Sequence, residues 1–294
     1  MQSKTDAFIT LAGLLREVLR CPLCRDSLNV CGKSMVCAGL SGKAHTFDIA
    51  RRGYVNLFCG STKIAETYDR ELFAARSVVS DAGLYDPLAA SIGEILSEMN
   101  RGVILDAGCG CGNLTKKVRD SISDDSKFIA LDLSKEGIEY GASNYFGADL
   151  LYLVGNLNNL PVSDKTVDVV LNIMSPASYS EFTRVLRDGG VVIKVIQEAQ
   201  YLCELRRFIY GDGDHGEYSN GDVLANLAES MEIVSVKDVT YTHRIEQNAL
   251  GSLFDMTPLT REIDDREVVK RRFCDEFNGN VTLDFKIVTA GKVE

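Results

Sequence analysis

Four side chains near the N-terminus have the types and the spacing of a metal site. Cys21-Pro-Leu-Cys24 places two sulfurs so that a tight knuckle turns both onto one ion; Cys37 follows after twelve intervening residues and His45 after seven more. Three thiolates and one imidazole suit tetrahedral Zn²⁺, and a closed set of four leaves no position for a substrate, so the metal would serve folding. A redox Cys-x-x-Cys, or two buried thiols beside an unrelated third, are the other readings of these residues. The gap between Cys24 and Cys37 holds a hairpin, with "SLNV" and "KSMVC" as strands and Cys31-Gly32-Lys33 near the turn, which leaves Cys31 as a spare thiol.

A second stretch with chemical content is "LDAGCGCGNLTKK". Asp106 stands at the end of an apolar run, and Gly108, Gly110 and Gly112 alternate before a helix. Glycines there let backbone approach a ligand closely. A dinucleotide fingerprint wants G-x-G-x-x-G, yet Asn113 occupies the last position, so a pyrophosphate fits poorly. Asp132 ends the next strand, where a carboxylate can accept both hydroxyls of a ribose. The pattern D-x-G-x-G-x-G followed by an acid resembles the S-adenosylmethionine site of Rossmann-like methyltransferases. In that resemblance Asn156 falls where a residue near the adenine is expected, although an asparagine at a strand end is often a turn former.

The elements that must position these residues follow from periodicity. Phe8, Leu11, Leu15, Val18 and Leu19 share one face of an N-terminal helix interrupted by Gly13. Over 61–100, Ile64, Leu72, Ala75, Val79 and then Leu88, Ile92 and Leu96 give two connector helices separated at "DAG" and "YDP". From residue 103, "VILDAG", "FIALDL", "LYLVGN", "VDVVLNIM" and "GGVVIKVI" read as strands, with helices through "NLTKKVRDSI" and "KEGIEYGASNYF". Alternation of that kind predicts an α/β fold with a mostly parallel, Rossmann-like sheet behind a small N-terminal zinc-binding module. The expected organisation is a helix and zinc module over 1–60, a helical connector over 61–100 and a methyltransferase domain over 101–294.

The 294 residues carry a net charge of −10 and a pI near 5.0, which excludes a molecule basic all over. Any polyanion site is therefore local. Residues 16–58 hold seven Lys/Arg against three Asp/Glu, so that segment is +4 and the remainder −14. The N-terminus lacks a small-residue cleavage pattern, no run is long and apolar enough to span a membrane, and nine cysteines without a secretory signal fit thiols in a reducing cytoplasm. His215 and His243 have no metal-spaced partner and read as surface or core residues.

A zinc module ahead of a methyltransferase resembles the RlmA/RrmA group of large-subunit rRNA (guanine-N1)-methyltransferases. The segment "HTFDIARRGYVNLF" resembles that family's H-x-F-D-x-A-x-x-G-Y-V-N-L, and "AR" at Ala75-Arg76, "DAGLYDPL", "LDAGCGCG", "GGVVI", the L-x-E-L of Leu202 to Leu205, "IY" at Ile209-Tyr210 and "MTP" at Met256 to Pro258 recur in the family's order. The resemblance covers roughly residues 20 to 290. It implies Cys21, Cys24, Cys37 and His45 as zinc ligands, contacts from Tyr85, Gly110 and Cys111 to adenosylmethionine, and Tyr201 where the family has a histidine near the cofactor. Departures are the missing Pro-Gly-Asp before Arg76, Cys111 in place of a common acid, "NIMSPAS" in place of Y-A-P-C, and an interval from Cys37 to His45 stretched by "AGLSG".

The reaction implied is methyl transfer from a sulfonium to N1 of a guanine in an rRNA hairpin. N1 lies on the Watson–Crick edge and carries a proton, so the base must be unpaired or flipped out and the proton accepted. Sequence names no base for that step. Asn172 and Ser175, with the Pro176 turn at the end of the fourth strand, could offer a carbonyl or hydroxyl to the purine edge, though a Ser-Pro there is more often only a turn. Arg25, Lys33, Lys43, Arg51 and Arg52 would grip the RNA backbone, or they are a solvated face. Two subunits forming one RNA cleft, a homodimer, is a further expectation of the family. A small-molecule methyltransferase, which has no need of a basic zinc module, and a non-catalytic RNA-binding relative are the alternatives.

Overall fold

The computed structural model describes residues 3–40, 42–60, 69–99, 101–211, 220–261 and 263–293; Ile64 and His215 lie outside them. Helix α1 (Lys4–Leu14) starts at Ser3, whose hydroxyl accepts the Asp6 N–H and satisfies one of the donors a helix start leaves open. It buries Ala7, Phe8, Leu11 and Ala12. Three short strands follow, β1 (Leu28–Cys31), β2 (Ser34–Cys37) and β3 (Thr46–Asp48), paired antiparallel in that order. Gly32, at φ 60°, makes the two-residue turn between Cys31 and Ser34 that the sequence predicts.

The next strand, β4 (Tyr54–Asn56), leaves this small sheet and becomes the edge of a large one, pairing parallel with β7 (Leu150–Val154). The expected connector helices are α2 (Arg70–Asp81), N-capped by Asp69, and α3 (Asp86–Ser97). The alternating part then runs β5 (Val103–Ala107), α4 (Asn113–Asp120), β6 (Lys127–Asp132), α5 (Lys135–Asn144), β7, β8 (Val167–Ile173), α6 (Tyr179–Val185) and β9 (Leu186–Gln197). After α7 (Cys203–Tyr210) and α8 (Gly221–Ser230), a long strand β10 (Glu232–Arg244), helices α9 (Leu250–Asp255) and α10 (Arg266–Glu276), and β11 (Asn280–Gly291) complete the chain.

The large sheet has the order β10-β11-β9-β8-β5-β6-β7-β4, parallel from β9 to β4, with β11 antiparallel to both β9 and β10. Strand order reverses between β5 and β8, so the chain diverges at their carboxyl ends and opens a crevice there. One sheet face packs under α2 to α5, where Val79, Leu88, Ile92, Val118 and Ile138 meet Ile104, Phe128, Tyr152 and Leu171.

The other face explains the N-terminal segment. No helix lies between β7 and β8, so the twelve-residue connection after Val154 leaves Leu105, Ile129, Leu131 and Leu153 to be covered by something else. Phe8, Leu11, Leu15 and Leu19 cover them, joined by Leu28, Met35 and the ligand cysteines Cys21 and Cys37. Each such aliphatic or aromatic side chain taken from water contributes on the order of 1.5–3 kcal/mol. Polar contacts fix the seat: Lys4 Nζ donates to the Ala142 carbonyl (3.1 Å), the Arg20 N–H to Pro161 O (3.1 Å), and Asn159 Nδ2 to Pro22 O (2.9 Å). The module's hydrophobic core and that of the large sheet are thus one.

Candidate active site and zinc centre

The four expected zinc ligands converge. Their ligand atoms all lie within 4.8 Å of one another, with Cys21 Sγ to His45 Nδ1 at 3.6 Å, Cys37 Sγ to His45 Nδ1 at 3.5 Å and Cys24 Sγ to Cys37 Sγ at 3.5 Å. Zinc–sulfur bonds of about 2.3 Å and zinc–nitrogen bonds of about 2.0 Å in a tetrahedron require ligand separations of about 3.5–3.8 Å. The knuckle is closed by the Cys21 N–H donating to Asp26 O (2.8 Å) and the Arg25 N–H to Cys21 O (2.9 Å), with Arg25 at φ 65°. The second half is closed by the His45 N–H, which donates to Cys37 Sγ (3.0 Å). Burial pushes the Cys37 thiol up, but this bond and those from Cys24 and His45 outweigh it and bring it down to about 7. The set fits Zn²⁺ as a closed structural site; Cys31 is exposed and apart.

At the switch point a cavity of about 1190 Å³ opens over the carboxyl ends of β5, β8 and β9. Of the expected cofactor residues, Tyr85, Asp106, Gly108, Gly110, Cys111 and Tyr201 line it. The glycine loop is built as close approach requires: Gly108, Gly110 and Gly112 have φ of 89°, 60° and 71°. A Cβ on Gly108 would stand 1.9 Å from Ser175 Oγ, and one on Gly112 would stand 2.8 Å from the Tyr152 ring. Glycine is the residue that occupies such positions without strain.

Asp106 is 2% exposed, and its Oδ2 accepts from Thr115 Oγ1 (2.5 Å) while Oδ1 has no partner in the protein. Burial, offset in part by Thr115 and reinforced by Asp132, raises its carboxyl to about 7. An unpaired buried acceptor on a cavity wall is a place for a ligand's ammonium group. Asp132 stands behind the loop: Oδ2 accepts from the Gly110 N–H (2.8 Å) and Oδ1 from the Ser134 N–H (2.7 Å), leaving lone pairs on both oxygens. Neither Asp132, Gly112 nor Asn156 lines the cavity itself. Asn156 caps its own turn, Oδ1 accepting from the Asn158 N–H (3.0 Å).

Tyr85 and Tyr201 touch hydroxyl to hydroxyl at 3.0 Å, and burial pushes both phenols up, so they serve as neutral hydrogen-bonding groups. Cys111, pushed up by burial to about 11, is a neutral thiol where the family commonly has an acid. Asn172 is fully buried and does not line the cavity; its Nδ2 donates to Ala107 O (2.7 Å) and Pro176 O (2.9 Å). Ser175 lies over Gly108 without being among the lining residues. The five basic residues of the module, Arg25, Lys33, Lys43, Arg51 and Arg52, are all exposed, and Arg52 also pairs with Glu139 of α5.

Sequence reasoning assigned no role to several residues that line the cavity: Arg76, Met174, Glu198, Arg206, Arg207 and Met256. Arg76 Nε donates to Met256 O (3.1 Å), joining α2 to the segment after α9. The signal was present in part, because "AR" and "MTP" recur in the family, but spacing alone does not reveal that they meet.

Comparison with known proteins decides the family. The N-terminal family model of RlmA matches residues 19–64 and a methyltransferase-domain model matches residues 104–190. A Bacillus subtilis protein provisionally named 23S rRNA (guanine-N1)-methyltransferase YxjB is 38% identical over 255 residues, 83% of this chain and 86% of the relative. The chain belongs to the large-subunit rRNA (guanine-N1)-methyltransferase family. A Streptomyces fradiae member named 23S rRNA (guanine(748)-N(1))-methyltransferase is 30% identical over 260 residues, covering 86% of this chain and 89% of that one. A Hahella chejuensis malonyl-[acyl-carrier protein] O-methyltransferase matches only 50% of this chain, at 32% identity. The cofactor of the family's methyltransferase fold is S-adenosyl-L-methionine, and the residues present fit it: three positive-φ glycines, the orphaned Asp106 oxygen and, behind the loop, the Asp132 carboxylate that holds the Gly110 N–H.

Proposed function

We propose that the protein transfers a methyl group from S-adenosylmethionine to N1 of a guanine in a large-subunit rRNA hairpin. The observation that carries this reading is that the zinc module and the methyltransferase fold align together with rRNA (guanine-N1)-methyltransferases over 83–86% of the chain. Bound adenosylmethionine supplies an electrophilic methyl on its sulfonium. The chain's part is to hold that methyl at the crevice through the glycine loop and Asp106, and to present the guanine from the β8 and β9 side. The cavity exceeds a typical small-ligand site, which suits a cofactor and a flipped base together.

In this reading residues 1–60 act as the RNA-gripping module, 61–100 as connector and 101–294 as the transferring unit, with the module's last strand built into the sheet. Exposure of Arg25, Lys33, Lys43, Arg51 and Arg52 supports their contact with phosphates in an otherwise acidic molecule. Among the described residues no helix is long and apolar enough to cross a membrane, and action on rRNA fits the cytoplasm. A homodimer sharing one RNA cleft belongs to the same proposal and is read by light scattering with and without RNA.

The deciding experiment incubates the protein with adenosylmethionine and unmodified large-subunit rRNA. A single new reverse-transcription stop at a hairpin guanine, with 1-methylguanosine in the digest, is expected, because N1-methylation blocks pairing. Cofactor bound without any modified guanosine overturns the reading. Turnover of a small phenol or quinone would reassign the substrate.

A further inference from the structure

The ends of β5, β8 and β9 are held by a buried lysine that none of the preceding roles uses. Lys194 of β9 is 5% exposed, and its Nζ donates to Asn172 Oδ1 (2.5 Å) and to the Ser175 carbonyl (2.5 Å). Asn172 passes the connection on, its Nδ2 reaching Ala107 O of β5 at 2.7 Å and Pro176 O at 2.9 Å. One ammonium and one amide therefore tie three strand ends to the Met174-Ser175-Pro176 turn.

That turn touches the cavity on one side, through Met174, and the glycine loop on the other, through Ser175. Met174, at φ 50°, lines the cavity, and Gln197 Nε2 lies 3.2 Å from its sulfur. Ser175 Oγ lies against the position a Cβ on Gly108 would take, so the turn also closes over the cofactor loop. A non-glycine residue in the left-handed region holds there only when its surroundings over-determine it. Here the Met174 N–H donates to Val195 O (3.0 Å), and the two hydrogen bonds from Lys194 hold the residues on either side, Asn172 and Ser175.

We propose that Lys194, acting through Asn172 and Ser175, is a positioning residue that sets the Met174 turn against the cofactor loop, and that it holds the turn most firmly as the ammonium. As a role in catalysis this rests on the methyltransferase reading; as a property of the turn it does not. A neutral amine keeps one lone pair and two N–H groups but loses the charge that shortens and orders both bonds. The groups that face Lys194 are Asn172 from β8, the Ser175 carbonyl and, across the sheet, Val288 of β11, none of them charged. Burial without a counter-ion lowers its pKa to about 8, so the brace is set to loosen in mildly alkaline solution.

The test compares wild type, Lys194→Met and Lys194→Arg, each checked for folding by thermal melting. Hydrogen exchange over residues 172–177, corrected for intrinsic rates, is measured from pH 6.5 to 9.5 and needs no substrate. Wild-type protection of the turn is expected to fall about tenfold through pH 8. Lys194→Met should be unprotected at all pH values, and Lys194→Arg should keep its protection to the top of the range. Turn protection that is the same in Lys194→Met as in wild type at pH 7 overturns the proposal. Turnover on rRNA is read in the same samples: kcat should drop 10- to 100-fold in Lys194→Met, with cofactor affinity within threefold of wild type. A wild type that shows the exchange behaviour but no turnover would remove the rRNA reading and leave the brace standing.

Discussion

Asp132 Oδ2 accepts the Gly110 N–H at 2.8 Å, so the acid at the end of β6 holds the middle of the glycine loop that leads from β5. The same carboxylate bonds the Ser134 N–H at the start of α5. One side chain thereby shapes the loop, and its burial raises its pKa until the backbone donors pull it partly back.

Asp132→Asn removes the charge and one of the two acceptors that hold the Gly110 and Ser134 N–H groups. Adenosylmethionine affinity should fall about 10- to 100-fold, the cost of a charge-assisted hydrogen-bonding group at about 1.5–3 kcal/mol. Calorimetric titration with adenosylhomocysteine reads it, and an unchanged affinity would remove Asp132 from the ribose site.

Asp106 gives a pH dependence with a definite sign. Its folded pKa of about 7 lies above the ordinary 3.8, so its contribution to stability is present below pH 3.8 and is lost as pH rises through 7. Asp106→Asn should therefore raise the Tm at pH 8 by several degrees and change it little at pH 4. A Tm difference that does not grow between those pH values would count against a neutral acid at this position.

Zinc removal should unsettle more than the small sheet, because Cys21 and Cys37 share a core with Leu131 and Leu153. Chelation, or Cys37→Ser, should cost at least 2–3 kcal/mol and expose α1 and β7 together to hydrogen exchange. Loss of protection confined to β1 to β3 would show the two parts to be independent.

Reversing Arg51 and Arg52 to Glu should weaken rRNA binding about 10-fold or more and lower the slope of log K against log salt by roughly 1–2, while cofactor affinity stays within twofold. The Arg52 partner Glu139 is half-buried on α5, so the doubly charged variant also places like charges together there. A single Arg51→Glu variant separates RNA binding from that repulsion, and loss of cofactor binding in it would sink the division of labour.

The zinc ligands, the glycine loop and β5 to β9 were legible because each depends on short-range spacing: knuckle geometry, positive φ and apolar runs. β10 and β11 went unread. Val281, Leu283, Phe285 and Ile287 alternate as a strand should, but β11 enters the sheet between β9 and β10, and no local pattern encodes that insertion. Arg76 and Met256 meet across 180 residues for the same reason. Asn172 has the chemistry to meet a purine, yet burial turns its amide onto Ala107, Pro176 and Lys194.

The pairing of Tyr54 in β4 with Tyr152 in β7 sets an order for synthesis. The ligands Cys21 to His45 leave the ribosome as a contiguous piece and can load their ion at once. The sheet face that α1 must cover does not exist until Leu153 has been made. During that interval Phe8, Leu11 and Leu15 have only the module's own Leu28 and Met35 to pack with, and the newborn chain depends on slow, long-range closure to cover the rest. Early metal loading would keep this waiting segment compact until the sheet arrives to cover it.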